Sequence, residues 1–240
     1  MNIIFIRHGD PDYINDSLTA KGRKEAKLLA KRVAKWKNAD FYCSPLGRAR
    51  ETAAASLDEM GIQPKILDWL EEFPARIISP ETGQRKVSWD LMPAYWTREE
   101  AYFDREKWAD TELMKTGNVR EYFERVKTGI DSLLAEYGYI RHEGFYIHDK
   151  KSAVRKNETA VCFCHFAVTT VIMGHMLNVS PAVLVHGFFL PTTSVTILCT
   201  EEREKGNAYF RCQCMGDTRH LHDGSEPISR SGYFTDIFQG

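Results

Sequence analysis

Three short apolar runs, separated by two helical stretches, occupy about the first seventy residues of this chain, and that alternation limits its fold more than any other feature. Ile3-Ile4-Phe5-Ile6 has no polar residue within it, as expected of a strand covered on both faces in a mostly parallel sheet. From about Thr19 to Trp36, Ala26, Leu29, Val33 and Trp36 recur at helical spacing, with lysines and arginines between them. Ala39 to Cys43 reads as a second strand. Ser44-Pro45 then opens a helix, with proline in the first turn, that runs to Met60 and stops at Gly61. Lys65 to Leu70 reads as a third strand. Strand, helix, strand, helix, strand specifies a layered α/β sheet.

The pattern breaks over 74–117, which carries three prolines, clustered aromatics and many charges without clean periodicity. This stretch reads as an inserted cap, helical in part from about Thr97 to Met114. Asn118 with Glu121 forms a capping pair for the next helix, whose buried stripe is Tyr122, Val126, Ile130, Leu133 and Tyr137. Gly138 to Lys156 is a polar connection with room for a small hairpin. Val161 to His165 is a fourth strand, Ala167 to Leu177 its following helix, and Pro181 to Phe189 a short helical or irregular segment. Thr193–Thr200 and Ala208–Met215 are β-rich runs joined through Lys205-Gly206-Asn207. A chain of 240 residues can bury a sizeable core, and a single domain spanning 1–240 with an inserted cap is the expected organisation.

Composition narrows the partners. The formal net charge is −1, so no broad basic face invites nucleic acid or an anionic membrane. An anionic ligand must be drawn by a local cluster. The opening apolar run is short and ends at Arg7-His8, without the basic lead or cleavage site of a signal peptide; a cytoplasmic protein is expected. Of the six cysteines, Cys162/Cys164 and Cys212/Cys214 form Cys-x-Cys pairs, while Cys43 and Cys199 stand alone. Structural zinc ordinarily uses wider spacings, and each pair sits in a strand-like run. Buried free thiols are expected, without metal or disulfide.

Four expected strand ends carry residues suited to phosphate chemistry. Arg7-His8-Gly9 follows the first strand, where ligand groups collect in open α/β sheets. A histidine there can act as a nucleophile and the neighbouring arginine can hold non-bridging oxygens, while Gly9 permits close backbone approach. Arg141-His142-Glu143-Gly144 looks similar but follows no apolar strand, so it is set aside. Arg48 falls in the first turn of a helix, where free N–H groups and the helix dipole also favour an anion. His165 ends a strand before a helix. Glu71-Glu72 lies just past the third strand. Each residue alone has an ordinary explanation: a solvated arginine, a boundary histidine, a charged loop. Their joint placement is harder to explain so.

Together these segments resemble the histidine phosphatase superfamily, whose best-known members are the cofactor-dependent phosphoglycerate mutases. Arg7-His8-Gly9 matches its opening motif, and Ser44-Pro45 through Arg48-Ala49 and Thr52 its second. His165 stands at the second-histidine position, with Phe166 where a glycine commonly follows. Leu190–Thr196 and Gly216–Leu221 look like the late strand and the closing segment; 74–117 lies where members carry variable caps. The resemblance implies a phosphoglycerate mutase-like three-layer α/β/α sandwich with a mostly parallel central sheet. It also implies that His8 is the nucleophile and that Arg7, Arg48 and His165 form the phosphate pocket. The proton donor is a glutamate after the third strand, Glu72 in preference to Glu71. The expected reaction is hydrolysis of a small phosphate monoester through phosphohistidine, with neither metal nor cofactor.

Two alternatives remain at this level. Mutases of that family carry an asparagine shortly after the first motif and paired arginines before the fourth. Here Asp10-Pro11-Asp12-Tyr13 follows Gly9, Asn15 is displaced, and 74–117 holds no Arg-Arg pair, so hydrolysis is preferred over mutase-type transfer. A non-catalytic phosphate-binding module would be expected to lack the nucleophile or the acid. Trp89, Tyr95, Trp96, Tyr102, Phe103 and Trp108 either line a ring-binding site or form the cap's own core, with the second preferred. Arg76, Arg85, Lys86, Arg98 and Arg105 offer a second anionic contact, although a solvated surface is the preferred reading. The oligomeric state is not legible.

Overall fold

The computed structural model describes residues 1–36 and 38–238. Its framework is an eight-stranded sheet of β1 (Asn2–Arg7), β2 (Asp40–Cys43), β3 (Lys65–Ile66), β4 (Tyr139–His142), β5 (Phe145–His148), β6 (Thr159–Cys164), β7 (Val195–Glu204) and β8 (Asn207–Asp217). The spatial order is β3-β2-β6-β1-β7-β8-β5-β4. The first four strands in that order pair in parallel, and β7, β8, β5 and β4 extend the sheet by antiparallel pairing. All four functional strand ends therefore lie in the parallel half, where carboxyl ends share one edge.

Strand periodicity sorts the core into two layers. Ile4 and Ile6 of β1 face α1 (Ala20–Val33) and α2 (Gly47–Leu57), packing with Leu29, Val33, Ala53 and Leu57. Ile3 and Phe5 face α3 (Val119–Glu136) and α4 (Phe166–Leu177), packing with Phe123, Ile130, Val168 and Ile172. Each such side chain contributes roughly 1.5–3 kcal/mol by leaving water. Helices on both faces of the sheet make the expected α/β/α layering.

Several local expectations need correction. The second helix starts at Gly47, two residues after Pro45, and Gly61 (φ +65) ends the short 3-10 turn that follows it. The strand expected over Lys65–Leu70 is only Lys65–Ile66, because the chain turns at Asp68–Leu70 to lay Trp69 on α3. A Cβ at Gly129 of α3 would sit 2.3 Å from the Trp69 ring, so only glycine permits that contact. Asn118 stands at the helix N-cap but makes no side-chain capping bond, and Phe123 takes the buried position expected of the half-exposed Tyr122.

The stretch 74–117 forms a hairpin (Arg76–Ile78 with Arg85–Val87) and one helical turn (Pro93–Trp96), and the partly helical character expected over Thr97–Met114 takes the form of three short 3-10 turns. The hairpin expected between Gly138 and Lys156 is β4–β5. Cys43, Cys162 and Cys164 are buried free thiols as expected, but Cys212 is exposed and Cys199 and Cys214 are half-buried. Register slips between Ile197 and Leu198 disturb the alternation there. Among the described residues no helix is long and apolar enough to cross a membrane.

Candidate active site

β1 ends at Arg7, and the next residue is locked from both sides by main-chain bonds. His8 N–H donates to the Cys164 carbonyl (3.0 Å), and Thr193 N–H donates to the His8 carbonyl (3.1 Å). Gly9 N–H donates to Thr52 Oγ1 (3.0 Å), whose own hydroxyl donates to the Arg48 carbonyl (2.8 Å). That chain of bonds ties the histidine loop to α2. A side chain at Gly9 would bring its Cβ within 2.7 Å of the Gly22 carbonyl oxygen, which excludes any other residue without rearrangement.

The imidazole of His8 is buried, with Nδ1 2.7 Å from the Gly9 carbonyl oxygen. A carbonyl only accepts, so Nδ1 carries the proton and Nε2 presents a lone pair. Burial, reinforced by the Arg7 and Arg48 cations, holds the His8 pKa well below its ordinary value. The His165 ring lies 5.0 Å from that of His8, centroid to centroid, and is also held well below its ordinary value by burial and these neighbours. Its Nε2 is 2.7 Å from Ser44 Oγ, while Nδ1 is buried without a partner.

Both arginines are anchored at one end and unpaired at another. Arg7 Nη1 donates to the Leu190 carbonyl (2.7 Å) and Nη2 to that of Ser231 (3.3 Å); Arg48 Nη1 pairs with Asp16 Oδ1 (2.6 Å). The Nε of each is buried with no hydrogen-bond partner among the described residues. Asp16 also accepts from Gly47 N–H (2.6 Å) through Oδ2, satisfying the start of α2 and fixing Arg48 at once.

Both members of the acidic pair are half-buried, and Glu72 is the one that turns to the start of α4. Its Oε1 accepts from the backbone N–H of Phe73, Ala167 and Val168 at 2.9–3.1 Å, the last two at the N-terminus of α4. Burial outweighs those bonds and the nearby arginines, so its pKa is raised. Glu71 points elsewhere and pairs with Arg125. Cys164 belongs to the other side of its strand, where Sγ meets Thr169 Oγ1 (3.3 Å) and burial lifts the thiol to about 12. A thiol–imidazole pair with His165 does not form.

Arg7 and Glu72 also border a cavity of about 680 Å³ beneath the 74–117 segment. The aromatics of 74–117 divide between the two expected roles. Trp89 and Trp96 line the cavity, Tyr102 and Trp108 are buried in the core, and Tyr95 and Phe103 are exposed. None of Arg76, Arg85, Lys86, Arg98 or Arg105 lines it. Asp16 and the wall formed by Gly232–Thr235 stand in no motif that announces a ligand, and the second motif gave no sign that its Ser44 would meet His165. Among the described residues no group of three His, Cys, Asp or Glu side chains is arranged to hold a metal.

A sheet that gathers two histidines and two arginines at the carboxyl ends of its parallel strands defines an anion-binding α/β protein. A model of the histidine phosphatase superfamily (branch 1) matches residues 3–140, and the chain belongs to that superfamily. Among solved structures it is similar to a phosphoserine phosphatase mutant from Entamoeba histolytica in complex with phosphoserine. That match has 18% identity and a TM-score of 0.59, and covers 92% of this chain and 98% of the other. It is also similar to a mycobacterial glucosyl-3-phosphoglycerate phosphatase complexed with VO3 (16%, TM-score 0.58, 90% and 98% covered). An alpha-ribazole phosphatase from Shigella flexneri matches at 17%, with a TM-score of 0.57 and 91% and 97% covered. At these identities the likeness speaks to the fold. No curated protein sequence matches the chain.

Proposed function

We propose that the protein hydrolyses a small phosphate monoester through a phosphohistidine on His8. One observation supports this reading: around a neutral imidazole with a free Nε2, three buried donors, Arg7 Nε, Arg48 Nε and His165 Nδ1, lack partners among the described residues. Buried donors are costly to leave unpaired, and a tetrahedral oxyanion would satisfy them. Phosphatases among the structural neighbours support the same chemistry.

In the first step His8 Nε2 attacks phosphorus, the ester P–O bond breaks, and the departing oxygen takes the proton of Glu72. Three backbone donors occupy Oε1 of Glu72, which leaves Oε2 to carry that proton. Ser44 donates its hydroxyl proton to His165 Nε2, so the neutral ring keeps a hydrogen on Nδ1 for the phosphoryl oxygens. In the second step water attacks phosphorus, gives its proton to Glu72 carboxylate, and the P–N bond breaks to release phosphate and restore His8. Arginines and histidine supply the charge stabilisation in this scheme, so it assigns no step to a metal or cofactor. The cavity lining, with no lysine or second arginine beside Arg7, favours hydrolysis over mutase-type transfer of phosphate on an anionic acid.

Rapid mixing with a radiolabelled ester and an alkaline quench is expected to trap label on His8 that survives base and is lost in acid. Turnover with no such label would overturn the mechanism. The pH profile gives an independent check. His8 must be neutral, and its depressed pKa keeps it so as pH falls below 6.5; Glu72 must be protonated, and its raised pKa keeps it so above 4.5. The kcat/KM profile of an alkyl ester is therefore expected to peak on the acidic side of neutrality and to decline as pH rises. A profile that climbs steadily to pH 8 would remove Glu72 as the acid.

A further inference from the structure

The cavity beyond the phosphate pocket is chemically one-sided. Among the described residues that line it only Arg7 is cationic, and that guanidinium is committed to the Leu190 and Ser231 carbonyls and to the phosphate cluster. The other charged groups on the wall are Glu72 and Asp90, both carboxyl groups. Lys86 approaches Asp90 (3.8 Å) from outside the lining. An ester with a second anionic group would bring it into a largely apolar space beside Asp90 and without a counter-ion.

The rest of the wall is built from flat rings. Trp96 stacks on His186, with centroids 5.2 Å apart and 17° between planes, on the cap side. Phe189 packs against Tyr233 at 4.4 Å, where Gly232–Thr235 of the C-terminal segment join the lining. Phe166 sits between the phosphate cluster and this space, 5.9 Å from the Arg7 guanidinium and edge-on to Trp89. Directly after His165 in the chain, Phe166 gives the cavity an aromatic floor.

We infer that the alcohol released by this enzyme carries an apolar ring and no anionic group, being neutral or positively charged. The inference rests on the phosphatase reading of His8 and names the leaving-group class that its cavity selects. Phosphorylated acids and bisphosphates, which need a second cation, are excluded by the same wall. Trp96 and Phe166 contribute through ring contact, and Asp90 through charge.

The test compares esters of similar alkyl alcohols. The wild-type enzyme is assayed on 2-phenylethyl phosphate, phosphocholine and 3-phosphoglycerate, with acetyl phosphate as a small, reactive, ring-free control. The expected result is a kcat/KM for 2-phenylethyl phosphate about a hundredfold above that for 3-phosphoglycerate, with phosphocholine also above 3-phosphoglycerate. Trp96→Ala and Asp90→Lys are each expected to shrink the ratio between 2-phenylethyl phosphate and 3-phosphoglycerate about tenfold, the first by losing the ring and the second by accepting the acid. Acetyl phosphate turnover with equal or better use of 3-phosphoglycerate would overturn the leaving-group inference alone. Failure to turn over any ester, acetyl phosphate included, would overturn the phosphatase reading and the inference with it.

Discussion

Replacing His8 with alanine is expected to lower kcat on every phosphate ester by a factor on the order of 10⁴ or more, while phosphate or vanadate still binds. That loss corresponds to about 5.5 kcal/mol of transition-state stabilisation. It is large because no other described side chain in the cluster can take over: His165 Nε2 is occupied by Ser44, and the Cys164 thiol is turned to Thr169. The variant should still fold. It deprives the Gly9 carbonyl of its partner, a cost of about 1–3 kcal/mol, within the stability of an ordinary domain. Thermal unfolding of His8→Ala, with His8→Asn as a smaller perturbation, separates loss of chemistry from loss of structure. Full activity in both would remove His8 as the nucleophile.

The second large effect is expected from Glu72→Gln. The amide keeps an oxygen for the three backbone donors but cannot deliver a proton as a carboxyl group does. Hydrolysis of 2-phenylethyl phosphate is expected to fall by roughly 10²–10⁴. Acetyl phosphate, whose leaving group departs without a proton, should lose far less. Glu71→Gln is the internal comparison: that carboxylate is paired with Arg125 near the surface, so its removal should change kcat little. Equal losses on both esters would assign Glu72 to maintenance of the α4 start instead of proton transfer.

Much of this was readable from the chain because the candidate residues stand at strand ends. An apolar run ending in Arg7-His8-Gly9 places those residues at a sheet edge whatever the details of packing, and the same holds for His165. What resisted reading depends on contacts distant in sequence. The helix expected to begin at Ser44-Pro45 starts at Gly47, since the Ser44 hydroxyl is engaged by His165 and the helix start is satisfied by Asp16. Lys65–Leu70 turns early because Trp69 finds a seat at Gly129, on a helix some sixty residues later in the chain. The stretch 74–117 has no periodicity because its aromatics divide between a core and a cavity wall. Tyr233 and Phe234 gave no sign of reaching the site, since nothing in their local sequence points to Phe189 or Arg7.

The position of β1 has a consequence for how the molecule is made. Its neighbours on the sheet are β6 and β7, so Asn2–Arg7 leaves the ribosome long before Thr159–Cys164 and Val195–Glu204 exist to flank it. Until then the apolar face of Ile3-Ile4-Phe5-Ile6 has no permanent partner, and its early neighbours α1 and α2 can cover only one side. Closing loops of this length makes the central pairing slow and leaves an aggregation-prone strand exposed during synthesis. Folding of the centre, and with it the assembly of the histidine cluster, is therefore a late event in translation. Nascent chains halted before β7 should remain bound to chaperones and inert toward phosphate esters.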